Sequence, residues 1–139
     1  MSEASSTPTI VVGFIPNPQG QAALEQGLAE ARLRGGRLLI VNAAGTDAFG
    51  DERRVGEEDL SGLQATLQDS GVAYEVRQTG SDQNAAESLV AVAEETAAVL
   101  VVIGLRHRSL VGKFLMGSNA QRILLDAPCP VLSVKAARR

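Results

Sequence analysis

The sequence predicts a single α/β domain built on a parallel sheet, and two patterns along the chain lead to that prediction. Short apolar runs, typical of strands buried on both faces, alternate with segments whose apolar residues recur at helical spacing. The order reads β-α-β-α-β-α-β-α-β, and strands separated by helices pair in parallel through right-handed crossovers. The chain has 139 residues, the usual size of one domain. We expect a disordered tail over 1–8 and the domain over 9–136.

Five segments are predicted to be strands. Residues 10–15, 38–41 and 99–103 consist of apolar residues and glycine, as strands covered on both faces do. Residues 72–77 alternate apolar and polar side chains, which leaves one face half exposed, so this strand is placed at an edge of the sheet. Residues 131–134 form the last strand.

Four helices are predicted between the strands. The first covers 21–34 and ends at Gly35, a residue that suits a helix C-cap, and the second stops at Gly71. The third opens after Asn84, which has a glutamate three residues later in a capping-box pattern. The fourth, over 119–126, is short.

Composition and charge argue against several classes of function. The net charge is −3, whereas nucleic-acid binding proteins carry a basic surface. One cysteine, Cys129, excludes a disulfide within the chain, and one histidine with one cysteine excludes a zinc site of the Cys/His type. No apolar run approaches the roughly 20 residues that a membrane-spanning helix needs. The N-terminal segment has no features of a secretion signal, and we expect a cytoplasmic protein.

The stretch from Gly104 to Asn119 is where the chemistry of the chain is expected. Gly104 ends a buried strand, where the missing Cβ allows a backbone or a ligand to approach closely. Gly117 and Ser118 stand directly before a predicted helix, whose free N–H groups would suit a phosphate. The plainer interpretation also stands: Ser118 is then an N-cap and the glycines serve tight turns.

The same stretch contains a local excess of positive charge. Arg106, Arg108 and Lys113 lie within it together with His107, on a chain that is acidic overall. A basic loop on an acidic protein is a candidate anion site, and a solvated surface loop is the alternative. No spacing of residues around His107, the single histidine, indicates a Ser-His-carboxylate triad.

These residues also give the chain a family resemblance. Gly104, two residues, His107, nine residues and then Gly117 and Ser118 resemble the signature of the universal stress protein family, which is Gly, two residues, Gly, nine residues, Gly, then Ser or Thr. The resemblance extends to the opening strand, to a turn at Gly80 and to the ending over 127–135. It implies a doubly wound sheet of order 3-2-1-4-5, and a homodimer that forms through the C-terminal strand from Val131 to Val134.

The resemblance also implies a ligand, which is ATP or another adenine nucleotide, with or without Mg²⁺, over the ends of strands one and four. The phosphates and ribose would be surrounded by Gly104, His107, Gly117, Ser118 and Asn119, with added contacts from Arg106 or Arg108. The nucleoside would be bordered by Phe14, Ile15 and Ala43.

Two departures from the family pattern bear on that ligand. The family usually has an aspartate where this chain has Ile15, and isoleucine cannot accept a hydrogen bond from a nucleoside. His107 replaces the second signature glycine, although histidine tolerates positive φ better than most residues. Three hypotheses follow: a nucleotide-responsive, stress-associated regulatory module, which we favour; a dimeric scaffold that has lost the nucleotide; and an enzyme such as a weak ATPase, which has the least support.

Overall fold

The computed structural model describes residues 7–14, 18–43, 57–79, 85–105 and 118–135. Strands and helices alternate through these ranges as the sequence predicts. In chain order they are β1 (Thr9–Gly13), α1 (Pro18–Arg34), β2 (Arg37–Ala43), α2 (Glu57–Ser70), β3 (Tyr74–Thr79), α3 (Ala85–Glu95), β4 (Leu100–Leu105), α4 (Ser118–Asp126) and β5 (Val131–Lys135).

The strands form one open sheet of order β3-β2-β1-β4-β5, which confirms the order that the family resemblance implies. Every neighbouring pair is parallel. The central strand β1 pairs with β2 on one side, with Val11 opposite Leu39. It pairs with β4 on the other side, with Val11 opposite Val101. The alternating strand, β3, lies at one edge as predicted, and β5 lies at the other.

Helices cover both faces of the sheet, which explains why the central strands are apolar throughout. Alternate residues of β1 point to opposite faces, so Ile10 and Val12 pack under α1 and α2, whereas Val11 packs under α3 and α4. The helices supply Leu24, Leu28, Leu63 and Leu67 to the first core, and Leu89, Val92 and Ile123 to the second.

Two helices end in the same hydrogen-bonded cap, although only one of them has glycine in it. After α1, Gly35 has a φ of 64° and the Gly36 N–H donates to the Ala31 carbonyl at 2.8 Å. This is a Schellman motif, and it confirms the predicted C-cap. After α3, the Ala98 N–H donates to the Ala93 carbonyl at 2.9 Å, and the left-handed position is occupied by Ala97, with a φ of 52°.

Several element bounds differ from the prediction. α1 begins at Pro18, three residues early, because proline is tolerated in the first turn of a helix. Val99, predicted as the first residue of the fourth strand, lies before β4 and is 39% exposed. Lys135 belongs to β5, so the last strand ends in a charged residue. The predicted tail boundary stays a prediction, since 1–6 lie outside the described ranges. Gly80 and Asn84 also lie outside them.

Candidate functional site

The carboxyl ends of β1 and β4 lie side by side at the centre of the sheet. The chain leaves β1 toward β2 on one side, whereas β4 and β5 extend the sheet on the other. The helix that follows β1 packs on one face and the helix that follows β4 packs on the opposite face. The order of the strands therefore reverses here, and ligands of open α/β sheets bind in the crevice at such a point.

Gly104 allows a close approach between α1 and the end of β4. A Cβ at this position would collide with the Gln19 carbonyl oxygen and would lie 2.6 Å from the Gln19 carbonyl carbon. The sequence left open whether a backbone or a ligand uses this space. In the structure the first turn of α1 fills this space, so the absence of a Cβ at Gly104 allows the start of α1 to pack against β4.

Phe14 borders the crevice through its backbone, because its ring belongs to the core. The side chain is 4% exposed and packs in the cluster under α1 and α2. Its N–H donates to the Val41 carbonyl at 3.0 Å. Its carbonyl accepts a hydrogen bond from the Asn42 side-chain Nδ2 at 2.9 Å. Asn42 was not among the residues predicted for the site. The feature of the sequence that could have identified Asn42 is an amide side chain at the end of an apolar strand.

The second half of the predicted site is described only at the start of α4. The helix begins at Ser118, one residue earlier than predicted, and Asn119 follows as a buried residue, 8% exposed. Ala43 is the last residue of β2 and lies opposite Thr79 of β3. Nothing is described of the Ser118 and Ala43 side chains. The other predicted site residues, Ile15, Arg106, His107, Arg108 and Gly117, lie outside the described ranges.

Other reactive groups in the described part of the chain do not form a second site. No group of three or more His, Cys, Asp or Glu side chains comes together within those ranges. Burial raises the pKa of the Cys129 thiol, so the thiolate that a redox nucleophile requires is disfavoured. Among the helices of the described ranges, none has the length and apolar character that crossing a membrane requires.

Comparison with known sequences decides the family. The sequence profile of the universal stress protein family matches residues 7–135. The chain belongs to the universal stress protein family. One relative, the universal stress protein of Mycolicibacterium smegmatis, is 48% identical over 127 residues, which make up 91% of this chain and 96% of the relative. The profile match over residues 7–135 covers all the strands and helices described above.

Solved structures of the family agree with the sheet and its helices. A universal stress protein of Archaeoglobus fulgidus superposes with a TM-score of 0.71 at 27% identity, covering 93% of this chain and 98% of its own. A second structure from that organism, in complex with dAMP, gives a TM-score of 0.62 at 24% identity, with coverage of 93% and 98%.

Proposed function

We propose that this chain is a cytoplasmic, stress-associated regulatory module that binds an adenine nucleotide across the carboxyl ends of β1 and β4. The observation that supports it most is the position of those two ends at the point where strand order reverses. The family supports the choice of ligand, since a universal stress protein of Archaeoglobus fulgidus was solved with dAMP. ATP and AMP, with or without Mg²⁺, are the candidates for this chain.

The proposed contacts follow the family signature together with the described geometry. The nucleoside lies against the backbone of Phe14, beside Ile15 and Ala43. The phosphates and ribose lie against the segment from Gly104 to Asn119, in which Arg106, His107, Arg108, Gly117 and Ser118 are the proposed contacts. Because the Gln19 backbone fills the space at Gly104 on the α1 face, the ligand approaches the end of β4 from above the strand or from the α4 side.

Thermal denaturation with and without nucleotide tests this function. At a nucleotide concentration of 100 Kd, binding would stabilise the folded state by about 2.7 kcal/mol. Gly117→Val should abolish the shift, because a β-branched side chain would block the approach of phosphate. Gly62→Ala is the matched control, since a Cβ there meets no atom within 4 Å, and it should keep the full shift.

The second candidate is a scaffold of the same family that has lost the nucleotide. It is favoured by Ile15, where the family usually has an aspartate. Absence of any thermal shift at millimolar ATP with Mg²⁺ and at millimolar AMP would support this candidate and contradict the regulatory module.

We also propose that the chain forms a homodimer through β5. Among the described strands, β5 pairs with β4 and forms an edge of the sheet, and an edge strand is a place where another chain can pair. The Val101 N–H donates to the Pro130 carbonyl, and in a parallel ladder the N–H groups of Leu132 and Val134 then face β4. The N–H of Ser133 therefore points away from the sheet. The preceding helix adds an exposed apolar residue, Leu125, which is 83% exposed.

Replacement of Ser133 by proline tests the dimer. Ser133→Pro removes an outward donor without removing a bond to β4, so the folded protein should shift from dimer to monomer in light scattering at micromolar concentration. A monomeric wild type, or a Ser133→Pro protein that stays dimeric, would contradict this interface.

A further inference from the structure

Phe14, the residue that follows β1, is held on its two backbone groups by two different kinds of partner. The Phe14 N–H donates to the Val41 carbonyl at 3.0 Å, as the ladder of a parallel sheet requires. The Phe14 carbonyl instead accepts from the Asn42 side chain at 2.9 Å. A side-chain amide thus fixes the carbonyl of the peptide that joins Phe14 to Ile15. The Phe14 carbonyl therefore lies at the carboxyl end of the sheet, beside the position that we propose for the nucleoside.

Asn42 occupies a position where the fold itself favours an apolar residue. Leu38 and Ile40 precede it on the same face of β2, and both are fully buried under α1 and α2. Asn42 continues that face and is 1% exposed. Burying an amide is costly unless its polar atoms find partners, and the Phe14 carbonyl is one of the partners of Asn42.

We propose that Asn42 is a positioning residue of the nucleotide site, which holds the Phe14 carbonyl in the orientation that nucleoside binding requires. This inference rests on the proposed function. Since the Ile15 side chain cannot accept a hydrogen bond, the acceptors that the end of β1 offers to a nucleoside are backbone groups. The orientation of those groups is set by the peptide that Asn42 holds, so Asn42 acts through Phe14 and does not touch the ligand in this role.

Asn42→Leu tests the inference, with Thr9→Val as the matched control. Thr9 accepts a hydrogen bond from Arg37 Nε at 3.1 Å and is also buried. It therefore joins the same two strands at their opposite ends, away from the proposed site. If Asn42→Leu does not fold, Asn42→Ser takes its place, because a serine hydroxyl is too short to reach the Phe14 carbonyl.

Two measurements separate positioning from a general effect on the fold. Calorimetric titration should show ATP and AMP binding to Asn42→Leu about tenfold more weakly, with binding of inorganic tripolyphosphate unchanged. In the protein without nucleotide, hydrogen exchange at the Phe14 amide should be about tenfold faster. Thr9→Val should leave both affinities and the exchange at Phe14 unchanged.

The outcomes distinguish failure of the inference from failure of the proposed function. A wild type that binds no adenine nucleotide overturns the proposed function and the site role of Asn42 together. A wild type that binds nucleotide, with an Asn42→Leu variant of equal affinity, overturns only the positioning role. Equal loss of ATP and tripolyphosphate binding, or unchanged exchange at Phe14, also overturns it.

Discussion

At the amino end of the sheet the helices return to the strands through short connections, whereas at the carboxyl end two strands lead into helices through long ones. Gly35 and Gly36 alone join α1 to β2, and residues 127–130 join α4 to β5. At the carboxyl end, 44–56 follow β2 and 106–117 follow β4. The family signature lies in the second of these long segments. The amino end is thus closed by short connections, and the proposed site lies at the opposite end of the sheet.

The backbone hydrogen bonds of the amino end support this contrast. The Arg37 N–H donates to the Pro8 carbonyl at 2.8 Å, the Val99 N–H to the Thr9 carbonyl at 2.9 Å, and the Val101 N–H to Pro130 at 3.0 Å. Each of these bonds joins the segment that precedes one strand to a residue of the neighbouring strand. Substitutions at the amino end should therefore change the free energy of unfolding and leave nucleotide affinity unchanged. At the carboxyl end, a large change in the free energy of unfolding is expected only where the structure shows a close contact.

Gly104→Ala, at the carboxyl end of the sheet, should give the largest effect on the free energy of unfolding, because Gly104 lies in such a close contact. The new Cβ would collide with the Gln19 backbone, so the first turn of α1 must move away from β4. We expect a loss of about 3 kcal/mol in the free energy of unfolding, measured with urea. Gly62→Ala is the control, because its Cβ meets open space on a helix, and it should gain up to about 1 kcal/mol. A Gly104→Ala protein of wild-type stability would contradict the close approach.

Gly36→Ala tests the amino end with a comparable collision. Its Cβ would lie 2.6 Å from the Pro8 carbonyl oxygen and 3.3 Å from Pro8 Cγ, and we expect a loss of about 2 kcal/mol in the free energy of unfolding. Nucleotide affinity, measured by calorimetry at a temperature where the variant is folded, should stay within twofold of the wild type. A larger change would show that the two ends of the sheet are coupled.

The sequence predicted the central strands because burial on both faces leaves a continuous apolar run, and it predicted β3 because one half-exposed face leaves an alternation of apolar and polar residues. It predicted the bounds less well, because strand ends depend on partners elsewhere in the chain. Thr9 and Arg37, both polar, belong to strands since they pair with each other. Val99 does not, although it continues an apolar run. Strand order came from the family resemblance, since local pattern does not specify which strands become neighbours.

The candidate site was predictable to a different extent in its two halves. The signature from Gly104 to Ser118 could be read directly, because the spacing of residues along the chain is given by the sequence itself. Whether a backbone or a ligand uses the space at Gly104 could not be read, since the Gln19 backbone that approaches it lies far away along the chain. Asn42 was missed for the same reason: its hydrogen bond to Phe14 joins residues 28 positions apart.

Ile15→Asp should change binding at the carboxyl end of β1. If the missing carboxylate weakens the proposed nucleotide contact, restoring it should tighten binding by about tenfold, in keeping with about 1.5 kcal/mol for a hydrogen bond to a charged group. Calorimetric titration with ATP and AMP measures this, and Ile15→Asn separates the hydrogen bond from the charge. Equal or weaker binding by a folded Ile15→Asp protein would show that this position does not anchor the nucleoside.

Ala97→Gly, at the amino end of the sheet, should give the smallest effect on the free energy of unfolding. Unlike Gly36→Ala, it should stabilise the protein. Ala97 occupies the left-handed position of the cap after α3, with a φ of 52°, where α1 has Gly35. An L-residue with a Cβ is disfavoured there by about 1–2 kcal/mol. Part of that cost is offset, because glycine loses more entropy on folding. We therefore expect Ala97→Gly to raise the free energy of unfolding by about 1 kcal/mol, or the Tm by about 3 °C.

Gly35→Ala is the reciprocal variant for this last prediction. A Cβ at Gly35 meets no atom within 4 Å, so its effect reports backbone strain alone, and we expect a loss of about 1 kcal/mol. Both variants should bind nucleotide as the wild type does, because both lie at the amino end of the sheet. If Ala97→Gly were destabilising while Gly35→Ala behaved as expected, the alanine methyl group would have to contribute packing that outweighs its backbone strain, and the two caps would not be equivalent.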